Sequence, residues 1–476
     1  MTPTTRTPIQ FSTLPEWNVI GIVLGGLAAY LLMPEYDHYN LGALAAPAVA
    51  LSLGLMAGPF ISGIFRPASL LRAEPVLYFG LVYWILLDAI QGSYGLWGTA
   101  HHAALLSFIG TAVFALGIWS GSQITSAFYG GQRYGEWREI SPKFVFRAVL
   151  LTFLAGVLKP LLACELNPQC FANSFFLPYS ELPWRTVRFG PFDSALKYLG
   201  FLGYMTLPLA ATLYYLDGRV TQRVAVSFLL GLLLLLLFTQ TGSRRFVGMV
   251  VMATGLAWVL LHKRVRLAHL IKLAALSALM LLLLETMVTW RDEGLAAVFS
   301  GEEAESSHKR GVVSVDKNFY YMSHAITVVP KLHPYKPVDG LLAMIGAPIP
   351  RSIWPSKPTQ GGGIPLLQLI GERKAPGFTW SCSAVCDFYL MGGMIAVMFG
   401  GTLFGVLAHL CNRVLFQSIS LPSRIIYAFG LMSLFIGLRN TRDLTAIGLI
   451  VGIIWAIFYV QRLYSRLHHI ESDTKL

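Results

Sequence analysis

The sequence predicts an all-α, polytopic membrane protein of about twelve transmembrane helices, with one long outer loop that contains an amphipathic helix. Two observations predict it. Apolar residues make up 55% of the 476-residue chain and charged residues only 13%, about half the charge of a soluble domain, and mean hydropathy is +0.60. The charge that exists is clustered between apolar runs of roughly 17 to 25 residues, the length that crosses ~30 Å of hydrocarbon. Inside lipid such runs must be helical, because no water is present to satisfy the backbone.

Taken in order, the spans fall near 18–34, 42–65, 75–91, 103–126, 144–164, 194–216, 222–239, 244–261, 267–288, 386–411, 423–438 and 442–461. The first run has no small-residue cleavage site and further spans follow at once, so it reads as a helix and not as a cleavable signal. The run RVAVSFLLGLLLLLLF at 223–238 is the plainest. The last pair is interrupted by Arg439 to Asp443. Residues 1–288 thus carry nine transmembrane helices, 289–385 form a long loop, and 386–476 carry three more helices and a tail. No internal repeat or separate soluble domain is visible.

Basic residues set the orientation. Alternate loops hold Arg66 and Arg72; Arg133, Arg138, Lys143 and Arg147; Arg219 and Arg223; Lys263, Arg264 and Arg266; Arg413 and Arg424; with Arg6 and Arg462 at the two ends. The short loops near 35–41 and 92–102 hold none. The positive-inside rule then places both termini in the cytoplasm. The net charge of +12 is mostly this anchor, and no nucleic-acid partner is needed to explain it.

With that orientation 289–385 lies outside. It is rich in proline and glycine, and a connection this long is usually functional or disordered. Within it, 316–330 has helical spacing, with Phe319, Met322, Ile326 and Val328 on or near one face. This predicts an amphipathic helix lying on the outer surface. Four cysteines fall at outer positions. Cys164 and Cys170, across ELNPQ, suit a disulfide in an oxidising compartment; Cys382 and Cys386 read equally as a second bridge or as reduced packing residues.

Several arginines break the charge rule. Arg244 and Arg245 open a span on the outer side, Arg439 and Arg442 sit in the last short outer turn, Arg291 follows Trp290 just past a span, and Arg351 lies in the long loop. Each alone is explained by snorkelling to lipid phosphate. Six on one face point instead to a shared anionic ligand, which the planar guanidinium grips with paired bonds. Among acidic groups, Asp443 beside Arg442 reads as an ion-pair partner, whereas Asp387 has no basic neighbour in sequence and is the better candidate general base. His324 is the second, although a lone histidine on a surface helix is more often simply solvated. Tyr320, Tyr321, Trp354 and Trp380 suit stacking on sugar rings, with an interfacial aromatic belt as the plainer reading.

Four segments carry a resemblance: TGSRRFVGMVV at 241–251, GLLAMIGAPIPRSIWPSKP at 340–358, GFTWSCSAVCDFYLMGG at 377–393 and GLRNTRDL at 437–444. In order and wording they resemble the bacterial oligosaccharide repeat-unit polymerases, the O-antigen and enterobacterial-common-antigen polymerase group. The most specific is the turn Pro350, Arg351, Trp354, Pro355, Lys357 and Pro358. The resemblance covers the C-terminal half; the last segment departs from it, with Arg439-Asn440-Thr441-Arg442-Asp443 where the family often shows Arg followed by Gly or Glu.

The resemblance implies an inner-membrane glycosyltransferase that joins undecaprenyl-pyrophosphate-linked oligosaccharides on the periplasmic side. It implies that Arg244, Arg245, Arg291, Arg351, Arg439 and Arg442 hold the pyrophosphate. Asp387 or His324 would serve as base, and Tyr320, Tyr321, Trp354 and Lys357 would meet sugar. No metal or cofactor is called for, because arginines supply the charge clamp. Membrane lipids and a chain-length regulator are the implied partners. Two other functions stay open: an O-antigen ligase, which shares topology and arginines, and a transporter or flippase of the same lipid-linked sugar. The latter predicts broken or charged helices near the midplane and inverted repeats.

Overall fold

The computed structural model describes residues 15–34, 42–92, 101–129, 141–240, 244–262, 265–293, 316–346, 349–350, 353–358, 381–417, 421–445, 447–449, 451–453, 456 and 459–460. All regular structure among them is helical. The main helices are α1 (Pro15–Leu31), α2 (Ala45–Phe65), α3 (Ala73–Ile90), α4 (His101–Tyr129), α5 (Pro142–Ala163), α6 (Ala195–Asp217), α7 (Gln222–Gln240), α8 (Arg244–Leu261), α9 (Leu267–Glu293), α10 (Asn318–Val328), α11 (Pro337–Ile345), α12 (Ser383–Gln417) and α13 (Leu421–Gly437). Another helix starts at Thr441 and continues through the described residues beyond it.

Eight of these helices are long and apolar enough to cross a membrane: α2 to α7, α9 and α12. The apolar helices α1, α8 and α13 are shorter. Large apolar side chains face outward around the bundle, such as Ile64 (78% exposed), Leu282 (69%) and Ile395 (86%). A soluble protein would bury such a belt; lipid solvates it at no cost.

Helix pairing rests on small residues. Gly117 and Gly121 of α4 lie directly against Gly401 and Gly405 of α12, so close that a Cβ at any of them would run into facing backbone. Gly21 and Gly25 of α1 meet Gly54 of α2 in the same way. Each pair is a Gly-x-x-x-Gly spacing, which lets helix backbones approach closely where no hydrophobic effect drives association.

Two apolar cores result. One is built by α1 to α4, α10, α12 and the end of α8 (Leu256 to Leu260), the other by α5 to α7, the start of α8 and α9. Helix α13 belongs to both: Tyr427, Leu431 and Leu434 pack into the first, and Ile426, Phe429, Met432 and Ile436 into the second. Nearly every residue of α13 is buried. It joins the halves, and whatever lies at its ends lies at their seam.

At the start of α13 the seam is closed by a buried polar hub. The Glu74 carboxylate accepts from Ser122 (2.6 Å) and Asn412 (2.8 Å) and pairs with Arg72 (3.2 Å). The Asn412 side-chain oxygen in turn accepts from the Ala73 N–H (2.9 Å), and the Tyr427 hydroxyl donates to the Leu71 carbonyl.

The helix expected over 316–330 forms at Asn318–Val328, but it does not lie on the surface. Phe319, Tyr321, Met322, Ser323, Ala325 and Ile326 are all buried, so it is covered on more than one face. Ser323 shares a hydrogen bond with Ser107 of α4 (2.9 Å), and Phe319 stacks near Phe108 (4.7 Å between centroids). Its small and weakly polar side is a packing face, not a wet one.

Helix α12 breaks at Gly392 and Gly393, about 14 Å along its axis. Gly393 has a left-handed φ of 66°, and a Cβ there would meet the Tyr335 hydroxyl. The Leu390 carbonyl freed by the break accepts from the Lys336 N–H (3.0 Å), and the Tyr389 hydroxyl donates to the Val329 carbonyl (3.1 Å). The chain between α10 and α11 therefore threads into the bundle beside α12. The freed backbone group is satisfied by protein, as membrane depth requires.

Candidate anion site

The far end of α13 carries the site. Its last turn runs through Leu438 and Arg439 to Asn440, which caps the helix starting at Thr441 by accepting from the Arg442 N–H (2.9 Å). Arg439 and Arg442 are thus fixed on either side of a helix start, at the seam between the two cores.

Arg439 is buried (6% exposed) and pairs with Asp316, which precedes α10, through Nε and through Nη2 (3.1 Å). Its guanidinium also lies over the Trp84 ring of α3, 6.0 Å from the centroid, within cation–π range. Trp84 is held from both sides: its indole donates to the Phe435 carbonyl (3.0 Å), and its carbonyl accepts from Asn318 (2.9 Å). Asn318 in turn accepts from Ser381 just before α12 (2.9 Å).

Arg245 reaches the same place from the start of α8. Its Nη1 is 2.7 Å from Asp443 Oδ2, and Arg439 Nη1 lies 3.7 Å from that same oxygen. One carboxylate oxygen therefore faces two guanidinium groups. These are ion contacts out of line for hydrogen bonding: Arg245 Nε and Arg439 Nη1 are buried donors with no hydrogen-bond acceptor among the described residues. A buried guanidinium with unspent donors is costly unless something else occupies them.

Two lysines join that the charge rule did not flag. Lys197, exposed on α6, feels the charges of Arg442, Arg245, Asp443 and Lys159. Lys159 of α5 pairs with Asp193 (2.9 Å). Arg442 itself is exposed and lies close to the Tyr198 hydroxyl. The described cluster holds Lys159, Lys197, Arg245, Arg439 and Arg442 against Asp193, Asp316, Asp387 and Asp443, a surplus of positive charge with donors to spare.

Asp387 sits one turn into α12 and is buried (4% exposed). Its Oδ2 accepts from both the N–H (3.1 Å) and the hydroxyl (2.8 Å) of Thr441. It therefore joins the arginine turn directly.

Of the other residues singled out in the sequence, His324 lies on α10 with its ring 4.3 Å from that of Tyr320, and Tyr320 in turn lies against Tyr321 (5.3 Å). His324 is ~9 Å further along the helix than Asn318. Trp354 and Lys357 form the turn after α11, where the Lys357 ammonium donates to the carbonyls of Gly346 (3.1 Å) and Ile349 (2.6 Å). That lysine ties a loop together. Arg351 and Trp380, and the side chains of Arg244 and Arg291, lie outside the described residues. Cys164 is bonded to Cys170 and Cys382 to Cys386, the second pair lying just before Asp387.

Fold and site together describe a helical protein with several apolar helices of membrane-crossing length and a cationic seam at one end of its bundle. No family model, curated protein or solved structure matches the chain.

Proposed function

We propose that this chain is a glycosyltransferase that polymerises undecaprenyl-pyrophosphate-linked oligosaccharide repeat units on the periplasmic side of the bacterial inner membrane, with both termini in the cytoplasm. The observation that carries the reading is the convergence of Arg245, Arg439, Arg442 and Lys197 at one end of an apolar bundle, with guanidinium donors that find no acceptor among the described residues. A diphosphate at a membrane surface is the ligand whose charge and geometry such a group fits.

In that reaction an acceptor sugar hydroxyl forms a bond to the anomeric carbon of the donor. The bond from that carbon to phosphate oxygen breaks, and the lipid pyrophosphate leaves with the electron pair. The acceptor proton passes to a base. Charge accumulates on the departing pyrophosphate, so cations placed there lower the barrier. The four segments of sequence resemblance supply the sugar-polymerising part of the reading.

One observation favours the flippase as a second reading: the break of α12 at Gly392 and Gly393, well inside the bundle. Its freed carbonyl is bonded to Lys336, and the charge lies at the bundle end, which suits surface chemistry better than transport. Reconstitution with lipid-linked repeat units separates these outcomes on a gel. A ladder of lengths supports the polymerase. A single new band on a lipid A acceptor would show a ligase, and movement of substrate between leaflets without product would show a flippase.

A further inference from the structure

Asp387 is the obvious carboxylate for a general base, yet its surroundings suit a different task. Its Oδ2 takes two hydrogen bonds, from the Thr441 N–H and hydroxyl, and the residue is almost completely buried. Both bonds come from one residue, so the carboxylate ties the start of α12 to Thr441 by two contacts. The Thr441 N–H is also one of the free donors at a helix start, where negative charge is favourable.

Its partner is placed to matter. Thr441 is two residues after Arg439 and one before Arg442, and it is itself buried (2% exposed). The same two elements are knit a second time by backbone, with the Ala384 N–H donating to the Leu438 carbonyl (2.8 Å). The start of α12 is rigid in its own right: Ser383 caps it by accepting from the Cys386 N–H (3.2 Å), and Cys382 is bonded to Cys386. A stiff helix end therefore holds the turn that carries both arginines.

We propose that Asp387 is a positioning residue: a carboxylate strut from α12 to Thr441 that fixes Arg439 and Arg442 in the anion site. The inference rests on the anion-site reading for its effect on ligand, but the strut itself is measurable without any ligand. Asparagine at 387 keeps a side-chain oxygen that accepts both bonds; alanine does not. At 441, serine keeps the hydroxyl and valine removes it.

The test is hydrogen–deuterium exchange of the full-length protein in nanodiscs, read on the peptide covering 438–445, with inorganic pyrophosphate affinity and polymer synthesis measured in parallel. Asp387→Ala and Thr441→Val are expected to speed exchange there about tenfold or more, the scale of losing a hydrogen bond to a charged group. They should weaken pyrophosphate binding in the same order. Asp387→Asn and Thr441→Ser should stay near wild type in all three measurements, and the pH profile of turnover should not move. Wild-type exchange in Asp387→Ala would overturn the strut. So would an inactive Asp387→Asn with wild-type exchange and pyrophosphate affinity, the signature of a base. A wild-type protein that binds no pyrophosphate removes the anion-site reading, while the exchange pattern still decides the strut.

Discussion

Asp443→Asn probes the site through its central charge. Asp443 Oδ2 lies 2.7 Å from Arg245 and 3.7 Å from Arg439, and all three side chains are largely buried. Removing one partner of a buried ion pair costs about 3–5 kcal/mol. Asparagine keeps a side-chain carbonyl dipole facing both guanidinium groups, which offsets part of that cost. The net loss expected is therefore about 2 kcal/mol. For a chain of this size that is a fall in Tm of about 4 °C. The substitution also removes the carboxylate that competes with an incoming anion, so pyrophosphate should bind the variant more tightly. At a concentration 100-fold above Kd a ligand adds about 2.7 kcal/mol, enough to reverse the loss. The assay is thermal unfolding in detergent by tryptophan fluorescence, at one scan rate, with and without inorganic pyrophosphate. A variant as stable as wild type, or one that pyrophosphate stabilises less than wild type, would refute the reasoning.

Three further outcomes are expected. Lys197→Met should weaken pyrophosphate binding about five- to tenfold by titration calorimetry, with stability unchanged within ~0.5 kcal/mol, because the side chain is exposed at the rim of the cluster. Gly121→Ala should destabilise by about 1–3 kcal/mol, since its Cβ would run into the Thr402 backbone of the facing helix; an unchanged unfolding midpoint would contradict that packing. Glu74→Ala should remove about 3–5 kcal/mol by leaving Arg72 buried without its carboxylate. Most of that protein should elute as aggregate on size-exclusion chromatography, whereas Glu74→Gln should retain part of the folded fraction.

Much of the helical layout was legible because apolar run length is a direct physical requirement of a membrane. The first eleven expected spans each overlap a helix, and eight of those helices are long and apolar enough to cross a membrane. The surface position expected for 318–328 failed for a reason specific to membrane bundles. In water, a face of Tyr320, Ser323, His324 and Thr327 beside an apolar stripe marks solvent; between membrane helices, small and hydroxyl-bearing residues are the packing face. The same rule could have read the Gly-x-x-x-Gly spacings at Gly117–Gly121 and Gly401–Gly405, which fix the α4–α12 contact.

The site was visible in part. Arg245, Arg439 and Arg442 stood out because the charge rule forbids them, and Asp387 because it lacks a basic sequence neighbour. Its actual partner, Thr441, is 54 positions away and carries no charge. Lys159 falls inside an apolar run, where an ionisable group is itself a signal of function. Lys197 lies near the start of one. Asp316, which holds Arg439, belongs to a segment whose role depends on the tertiary position of α10, and no local pattern reveals that.

The central claim is that a lipid-linked pyrophosphate is held where α13 ends. Cryo-EM of the protein in nanodiscs loaded with undecaprenyl pyrophosphate tests it most directly. The account predicts phosphate density within hydrogen-bond reach of Arg245, Arg439 and Lys197, with Asp443 drawn away from at least one arginine. Phosphate density at the opposite end of the bundle beside Arg72, or none at either end at saturating lipid, would contradict it.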